Sequence, residues 1–147
     1  MKCRHCGNEI NLVMADLGTA PPSNAYISKE KQEDYELWYP LKVVVCHKCW
    51  LVQTQDFTRA DELFTEDYAY FSSFSRSWLA HAKAYTDLVT ERFQLTKDSL
   101  VLEVASNDGY LLQYVQDLNI PNIGVEPTHS TASAARDKGL RVEEVFF

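Results

Sequence analysis

The sequence predicts an α/β protein: a small metal-binding ribbon domain, then a linker helix, then the first β-α-β-α-β part of a parallel sheet. Two Cys-x-x-Cys pairs in a first zone rich in loops and short strands predict the ribbon. From residue 98 onwards, short apolar runs alternate with stretches of helical periodicity, which implies parallel strands joined by right-handed crossovers. The predicted zones are residues 1–57, 58–97 and 98–147.

The composition limits the classes of function. The chain has 147 residues, with 14 Lys and Arg against 21 Asp and Glu, for a formal net charge of −7. Coating nucleic acid requires clustered basic residues, so we do not expect a nucleic-acid partner. No apolar run approaches the length of a membrane span, about 20 residues, and the polar first residues lack a signal-peptide core. Four cysteines without a secretion signal indicate a reducing compartment, so we expect a cytoplasmic protein without membrane contact.

The four cysteines have a pattern typical of structural zinc sites. In Cys3-x-x-Cys6 and Cys46-x-x-Cys49, two intervening residues let both sulfurs of a pair point at one ion. The apolar runs 41–45 and 51–55 flank the second pair and predict a hairpin around it. The gap between the pairs exceeds the usual spacer of about 15–20 residues, so the prediction depends on the doubled pattern.

Zinc bound by all four sulfurs would stabilise the fold and leave no position for a substrate water. Unligated thiols or a redox pair are the alternatives. His5 and His47 lie inside the two pairs, and we expect their side chains to point away from the metal.

The middle zone predicts one long helix. Trp78, Ala82, Tyr85 and Val89 recur every three or four residues, so we expect them to share its buried face. A serine before this stripe is expected to cap the helix, and the candidates are Ser73, Ser75 and Ser77.

The last zone predicts three strands separated by two helices. The first strand, at 100–104, is a nearly continuous apolar run of the kind buried in parallel sheets. A turn at Asn107-Asp108-Gly109 follows it, and Gly139 is placed just past the end of the second helix. The remaining expected elements are a helix at 110–118 with Leu111, Val115 and Leu118 on one stripe, a strand at 122–126, a helix at 128–138 and a strand from 140.

The turn after the first strand is a candidate site for a polar nucleoside ligand. Amide groups at the start of a helix carry partial positive charge, and Glu126 ends the next strand, where a carboxylate can accept both ribose hydroxyls. A dinucleotide is disfavoured because the turn has one glycine, Gly109, beside the acidic Asp108. A cationic sulfonium with an amino-acid tail avoids that repulsion, which favours S-adenosylmethionine. A plain β-turn-α connection is the alternative.

This interpretation requires that Glu126 face the ligand and that the bend at 107–109 be free of its own side chains. If either condition fails, only a metal-stabilised scaffold is expected.

An ordered set of motifs resembles the N-terminal part of zinc-ribbon-bearing, S-adenosylmethionine-dependent C-methyltransferases, typified by deoxysugar 3-C-methyltransferases. One departure is Ala105, where many methyltransferases carry glycine. The resemblance covers nearly the whole chain. Its motifs are Cys3-x-x-Cys6, Pro21-Pro22-Ser23-Asn24, Tyr39-Pro40-Leu41, Cys46-x-x-Cys49 with Leu51-Val52-Gln53, Tyr68-Ala69-Tyr70-Phe71-Ser72-Ser73, Glu103 to Tyr110, and Gly124-Val125-Glu126-Pro127.

The resemblance implies a class I, Rossmann-like methyltransferase sheet and assigns its site residues. Tyr70 is implied nearest the chemistry, and an aromatic interface between the two domains is the alternative role for this tyrosine-rich segment. The metal ligands are the four cysteines. The cofactor-binding residues are Glu103, Ala105, Ser106, Asn107, Asp108, Gly109, Glu126 and Pro127, with Ser72 and Ser75 in the segment over the cofactor.

The implied reaction removes a proton beside a ketone, after which the enolate carbon attacks the sulfonium methyl group. A nucleotide-linked keto sugar is the best-known substrate class of the family, although this sequence does not identify the acceptor. A class I sheet has seven strands and this chain reaches the third. We therefore expect a fragment that binds S-adenosylmethionine weakly if at all, does not turn over, and self-associates through an unpaired sheet edge.

Two functions of other classes remain open. A non-catalytic zinc-ribbon module would use its metal knuckles to bind another protein. A zinc-ribbon nucleic-acid binder ranks last, because the chain is acidic and has no Lys/Arg stripe.

Overall fold

The computed structural model describes residues 1–64, 68 and 70–147. Ala69, part of the tyrosine- and serine-rich motif, lies outside the described residues, as do residues 65–67 of the middle zone. The chain divides into two compact units, Met1–Leu63 and Phe64–Phe147.

The first unit is an antiparallel sheet built around the cysteines. Its strands are β1 (Leu12–Ala20), β2 (Tyr39–Val45) and β3 (Val52–Thr54), in the order β1-β2-β3. β2 and β3 form the hairpin predicted around the second cysteine pair, with Val45 opposite Val52. A short helix, α1 (Ala60–Leu63), and a 3-10 turn at Lys29–Lys31 complete the unit.

The core of the first unit is small. Its buried apolar residues are Cys3, Ile10, Val44 and Cys46, and Cys6 and Cys49 pack against them. Most of β1 is exposed, although at nine residues it is longer than the short strands expected in this zone. So small a core provides little hydrophobic stabilisation, and domains of this kind usually depend on a metal or disulfides.

The second unit begins with the long helix α2 (Arg76–Phe93). Ser75 is its N-cap, and the Ser75 hydroxyl accepts a hydrogen bond from the Trp78 amide at 3.3 Å. Ser75 is one of the three serines that the sequence offered as candidate caps. The buried residues of α2 are Ala82 and Thr86. The predicted stripe is wrong for Trp78 and Tyr85, which are 43% and 48% exposed, because the helix packs through a face rotated towards Thr86.

A three-stranded parallel sheet forms the rest of this unit. Its strands are paired in the order β4-β5-β6, and the predicted β-α-β-α-β alternation is confirmed. The last strand has only two residues, whereas the sequence predicted one from residue 140 to the end. The elements are β4 (Val101–Val104), α3 (Leu112–Asp117), β5 (Asn122–Val125), α4 (His129–Asp137) and β6 (Val142–Glu143).

Both crossover helices pack on one core. Leu112 and Val115 of α3 are buried, but Leu118 is exposed because the helix ends at Asp117, so the predicted stripe is wrong at this position. Gly139 follows α4 with a left-handed φ of 82°, and its amide donates to Arg136 O at 2.8 Å, which confirms the predicted helix stop. The shared core consists of Leu112, Val115, Ile120, Ala132, Ala135, Leu140 and Val142.

On β4, the face that carries Leu102 and Val104 has little cover among the described residues, as the exposure of about half of each side chain shows. No helix in the described part of the chain is long and apolar enough to cross a membrane.

Candidate functional site

The four cysteine sulfurs converge on one point in the first unit. The Sγ atoms of Cys3 and Cys49 are 3.6 Å apart, as are those of Cys6 and Cys46, and all four lie within 4.8 Å of one another. A tetrahedron with zinc–sulfur bonds of about 2.3 Å places its sulfurs about 3.8 Å apart. The donor set and its dimensions fit a closed zinc site.

Repulsion between neighbouring cysteine thiolates favours the binding of a cation by the cluster. The Cys6 backbone amide, with help from Gln53, lowers the pKa of Cys3 to about 6 against the effect of burial. The Leu51 amide lowers the pKa of Cys49, but burial and the neighbouring thiols together raise it to about 12. Cys3 therefore ionises readily and Cys49 does not, because thiolates this close repel one another. A divalent ion stabilises all four as thiolates.

The two histidines inside the pairs do not join the cluster. His5 and His47 are exposed, and the His47 ring nitrogen Nε2 lies 3.2 Å from the Asn8 side-chain amide. Their predicted orientation away from the metal position is consistent with this placement.

In the second unit, Glu126 is tied to the candidate cofactor turn. Its Oε2 accepts a hydrogen bond from the Asn107 amide at 2.9 Å, and its Oε1 accepts one from the Thr128 amide at 3.0 Å. The side chain is buried, with 5% of the residue exposed. The carboxylate therefore joins the ends of β4 and β5, and it faces inward rather than towards open solvent.

The turn after β4 has an unusual backbone. Ala105 and Asn107 both have left-handed φ values, 60° and 50°, and Gly109 follows at 75°. A left-handed alanine costs about 1–2 kcal/mol, whereas glycine takes this conformation freely. The departure from glycine noted at Ala105 therefore falls at a strained position.

Side chains of the turn hold the segment at residues 70–73. The Asn107 side-chain amide donates to Tyr70 O at 3.0 Å, and its oxygen accepts from the Ser72 amide at 2.9 Å. Asp108 accepts hydrogen bonds from the Ser73 amide and hydroxyl. The predicted open bend is wrong for this conformation, because Asn107 and Asp108 fill it with bonds to the segment 70–73.

The tyrosine- and serine-rich segment crosses the carboxyl ends of both strands. Beyond the contacts after β4, Ser130 at the start of α4 donates its hydroxyl to Tyr68 O at 3.3 Å. Tyr70 keeps about half of its surface exposed, and Ser72 is buried. The Ser75 hydroxyl is used as the cap of α2. A ligand that reaches Glu126 must therefore enter beside this segment or displace it.

Unused hydrogen-bonding capacity concentrates at the same sheet edge. Within the described residues, four buried side-chain oxygens lack a hydrogen-bond partner, and three belong to Glu103, Ser106 and Thr128. Ser106 packs where a side chain on Gly124 would otherwise lie, since a Cβ there would overlap the Ser106 hydroxyl. Buried polar atoms without partners are rare, so these three oxygens are available to a polar ligand.

Burial also perturbs Glu103 and the tyrosine beside it. Burial raises the pKa of Glu103 to about 7, the Tyr110 hydroxyl opposes the shift, and the Glu126 charge adds to it. Burial and the Glu103 charge raise the pKa of Tyr110 to about 12, with a further contribution from Tyr70. A carboxyl group in this state gains from a bound cation or hydrogen-bond donor.

Three residues at this edge were not among the site residues that the sequence predicted: Thr128, Tyr110 and Ser73. Thr128 lies three residues after the end of β5, and this position close to the carboxyl end of a strand was a usable signal for a site residue. Pro127 is half-buried. The role of Ser73 depends on how the segment docks, which no local pattern reveals.

Comparison with known proteins gives a match for the part of the chain that contains the cysteine cluster and a second match for nearly the whole chain. Residues 3–64 match the family Methyltransf_13, described as "Putative zinc binding domain". The chain is also 33% identical over 139 residues to C-methyltransferase NovU of Streptomyces niveus, covering 95% of this chain. The chain is therefore similar to a C-methyltransferase over nearly all of its length, and its first part is similar to a family of zinc-binding domains. It spans about a third of the length of that relative, since the match covers 33% of it.

The match to a zinc-binding domain agrees with the cysteine geometry. The matched zinc-binding domain contains all four cysteines. The match to NovU continues through nearly all of the chain, so it includes the β4–β6 sheet as well as the ribbon.

Proposed function

We propose that this chain is the N-terminal part of an S-adenosylmethionine-dependent C-methyltransferase whose cofactor site lies at the carboxyl ends of β4 and β5. Glu126 faces inward and the bend is filled in this conformation, so neither condition set from the sequence is met. The observation that carries the proposal is therefore the similarity to a C-methyltransferase over 95% of this chain. The pair of acids Glu103 and Glu126, beside buried oxygens that lack a partner among the described residues, supports the place of the site, and the segment 70–73 must move for a ligand to reach it. The sheet order also supports a Rossmann-like assignment. In β4-β5-β6 the strands lie side by side in chain order, as the first three strands of a Rossmann fold do.

The residues at this edge suit the charges of the cofactor. Glu126 can accept hydroxyl groups of the ribose, because each carboxylate oxygen has two acceptor positions and the backbone uses one of each. Glu103 suits a positively charged donor such as the amino group of the cofactor. The hydroxyl groups of Ser106 and Thr128 supply further polar contacts. S-Adenosylmethionine, when bound, supplies an electrophilic methyl group.

We assign Tyr70 to the acceptor side of the site. The Asn107 side chain holds the Tyr70 backbone beside the end of β4, and about half of the Tyr70 surface is exposed to an incoming substrate. The segment 70–73 can exclude water from the reacting groups while its backbone is held by Asn107. Tyr110 is a poor base, because its pKa of about 12 keeps it protonated at neutral pH.

For the acceptor we propose a nucleotide-linked keto sugar or a related small ketone. Carbon methylation beside a ketone needs a base and stabilisation of the enolate oxygen. A phenol such as Tyr70 can donate a hydrogen bond to that oxygen in its protonated state.

Calorimetric titration of the longer protein of which we propose this chain to be a part, with S-adenosylhomocysteine, tests this proposal. We expect binding that Glu126→Gln reduces at least tenfold, while the matched control Glu143→Gln, an exposed acid on β6, binds as the unchanged protein does. Far-UV circular dichroism checks that both variants keep their helices. No binding by the unchanged longer protein at millimolar ligand, or equal binding by its Glu126 variant, would contradict the proposed site.

A protein-interaction module is a second candidate function. Exposed aromatic residues on the first unit favour it, since Tyr26, Tyr35 and Trp50 are each more than two-thirds exposed. The same titration separates the two functions, because a module without a cofactor site binds no S-adenosylhomocysteine.

A further inference from the structure

Gln53 is a buried polar residue beside the four cysteines. It is the central residue of the three-residue strand β3, lies opposite Val44, and is 6% exposed. Strand residues alternate in direction, so the neighbours Val52 and Thr54 face outward while Gln53 faces the cysteine cluster. A buried amide needs partners for both its oxygen and its nitrogen.

Both ends of this amide have a partner in the first cysteine pair. The Gln53 oxygen Oε1 accepts a hydrogen bond from the Arg4 backbone amide at 3.2 Å, and Nε2 donates to Cys3 Sγ at 3.4 Å. The Arg4 amide can only donate, so the side-chain atom that faces it must be the oxygen. The NH2 group of Gln53 is therefore directed at the sulfur, and the orientation of the amide follows from its partners.

A four-thiolate zinc centre has a particular need for such a donor. Four thiolates around one Zn²⁺ leave two excess negative charges in a largely buried site, and hydrogen bonds to sulfur distribute that charge. Groups outside the ligand shell that orient and polarise the ligands contribute strongly to metal affinity. Gln53 is the side chain that donates to a ligand sulfur within the described residues.

We propose that Gln53 is a positioning residue of the zinc centre, which donates an N–H···S hydrogen bond to Cys3 while it fixes the backbone of the first knuckle through Arg4. The Arg4 side chain extends the same attachment, because it donates to Thr54 O at 2.8 Å and pairs with Asp56. β3 thus holds the Cys3/Cys6 knuckle beside the Cys46/Cys49 knuckle, which forms the turn of the β2–β3 hairpin. The inference rests on the assignment of zinc to the four cysteines.

Spectroscopy of the unchanged chain loaded with ¹¹³Cd²⁺ tests the hydrogen bond directly. Scalar coupling passes from cadmium through the sulfur to a proton that is hydrogen-bonded to it. We expect a cross-peak between ¹¹³Cd and a side-chain amide proton of Gln53. Its absence, when couplings from cadmium to the cysteine Hβ protons are seen, would overturn the proposal.

Zinc competition against a chromophoric chelator measures the consequence. We expect Gln53→Met to weaken zinc binding about 10–100-fold, and the Co²⁺-loaded variant to show its sulfur-to-metal charge-transfer band at lower energy. The matched control is Gln55→Met, a half-buried glutamine that lines a groove with Pro40 and Phe57.

A role limited to packing would lower the stability of the unit and leave the charge-transfer band of the metal-loaded variant unmoved, and that outcome would overturn the proposal. If the unchanged chain binds no stoichiometric zinc, the zinc assignment fails and the inference fails with it. If zinc binds and only the Gln53 coupling is missing, the inference alone fails.

Discussion

Replacement of Glu103 by glutamine is expected to stabilise the second unit at alkaline pH. Burial raises the pKa of this carboxyl from 4.5 to about 7 in the folded chain. Between those values the folded state binds more protons than the unfolded state, so the free energy of unfolding falls as the pH rises from about 4.5 through about 7. At 1.36 kcal/mol per pKa unit, the full penalty is about 3 kcal/mol.

Urea unfolding at pH 5 and pH 8, followed by far-UV circular dichroism, measures this effect. The described α-helices of eight or more residues, α2 and α4, both lie in the second unit, so the signal reports mainly on it. We expect Glu103→Gln to gain about 1–3 kcal/mol over the unchanged chain at pH 8 and little at pH 5. Glu91→Gln, an exposed change on α2, is the control. Parallel pH profiles for the Glu103 variant and the unchanged chain would refute the reasoning.

Three other predictions follow from the structure. Chelation of zinc should unfold Met1–Leu63, whose core is two aliphatic residues and four cysteines, while helical dichroism persists. Retention of the sheet without metal would contradict this. Ala105→Gly should stabilise the chain by about 0.5–1 kcal/mol in thermal unfolding, because the strain of a left-handed alanine exceeds the entropy that glycine adds to the unfolded chain. A loss of stability would show that the strain is absent. We also propose self-association through the exposed β4 face, so sedimentation should detect a dimer that Leu102→Lys abolishes.

Local chemistry made several features predictable from the sequence. The cysteine pattern predicted the metal cluster and its hairpin, a serine predicted the start of α2, and Gly139 predicted the end of α4. The helix cap, the helix stop and each cysteine pair depend on residues within a few positions of one another, so propensity and spacing carry the information. The meeting of the two pairs was predictable from their doubled pattern.

Features that depend on distant packing were not predictable. The buried face of α2 centres on Ala82 and Thr86 because of what packs against it, and periodicity alone did not distinguish that face from the one carrying Trp78. The use of the Asn107 side chain likewise depends on where a segment 35 residues earlier in the chain docks. Sequence reasoning found the acidic edge but not the bonds that close it.

The most direct test of the account is an amide-resolved NMR titration of the chain with S-adenosylhomocysteine. The amides of Asn107 and Thr128, which donate to the Glu126 carboxylate, are the reporters. We predict that both resonances shift together with that of Ser72, because the ligand must meet the carboxylate beside the segment held by Asn107. Saturating ligand that leaves all three resonances unmoved would contradict a cofactor site at this edge of the sheet.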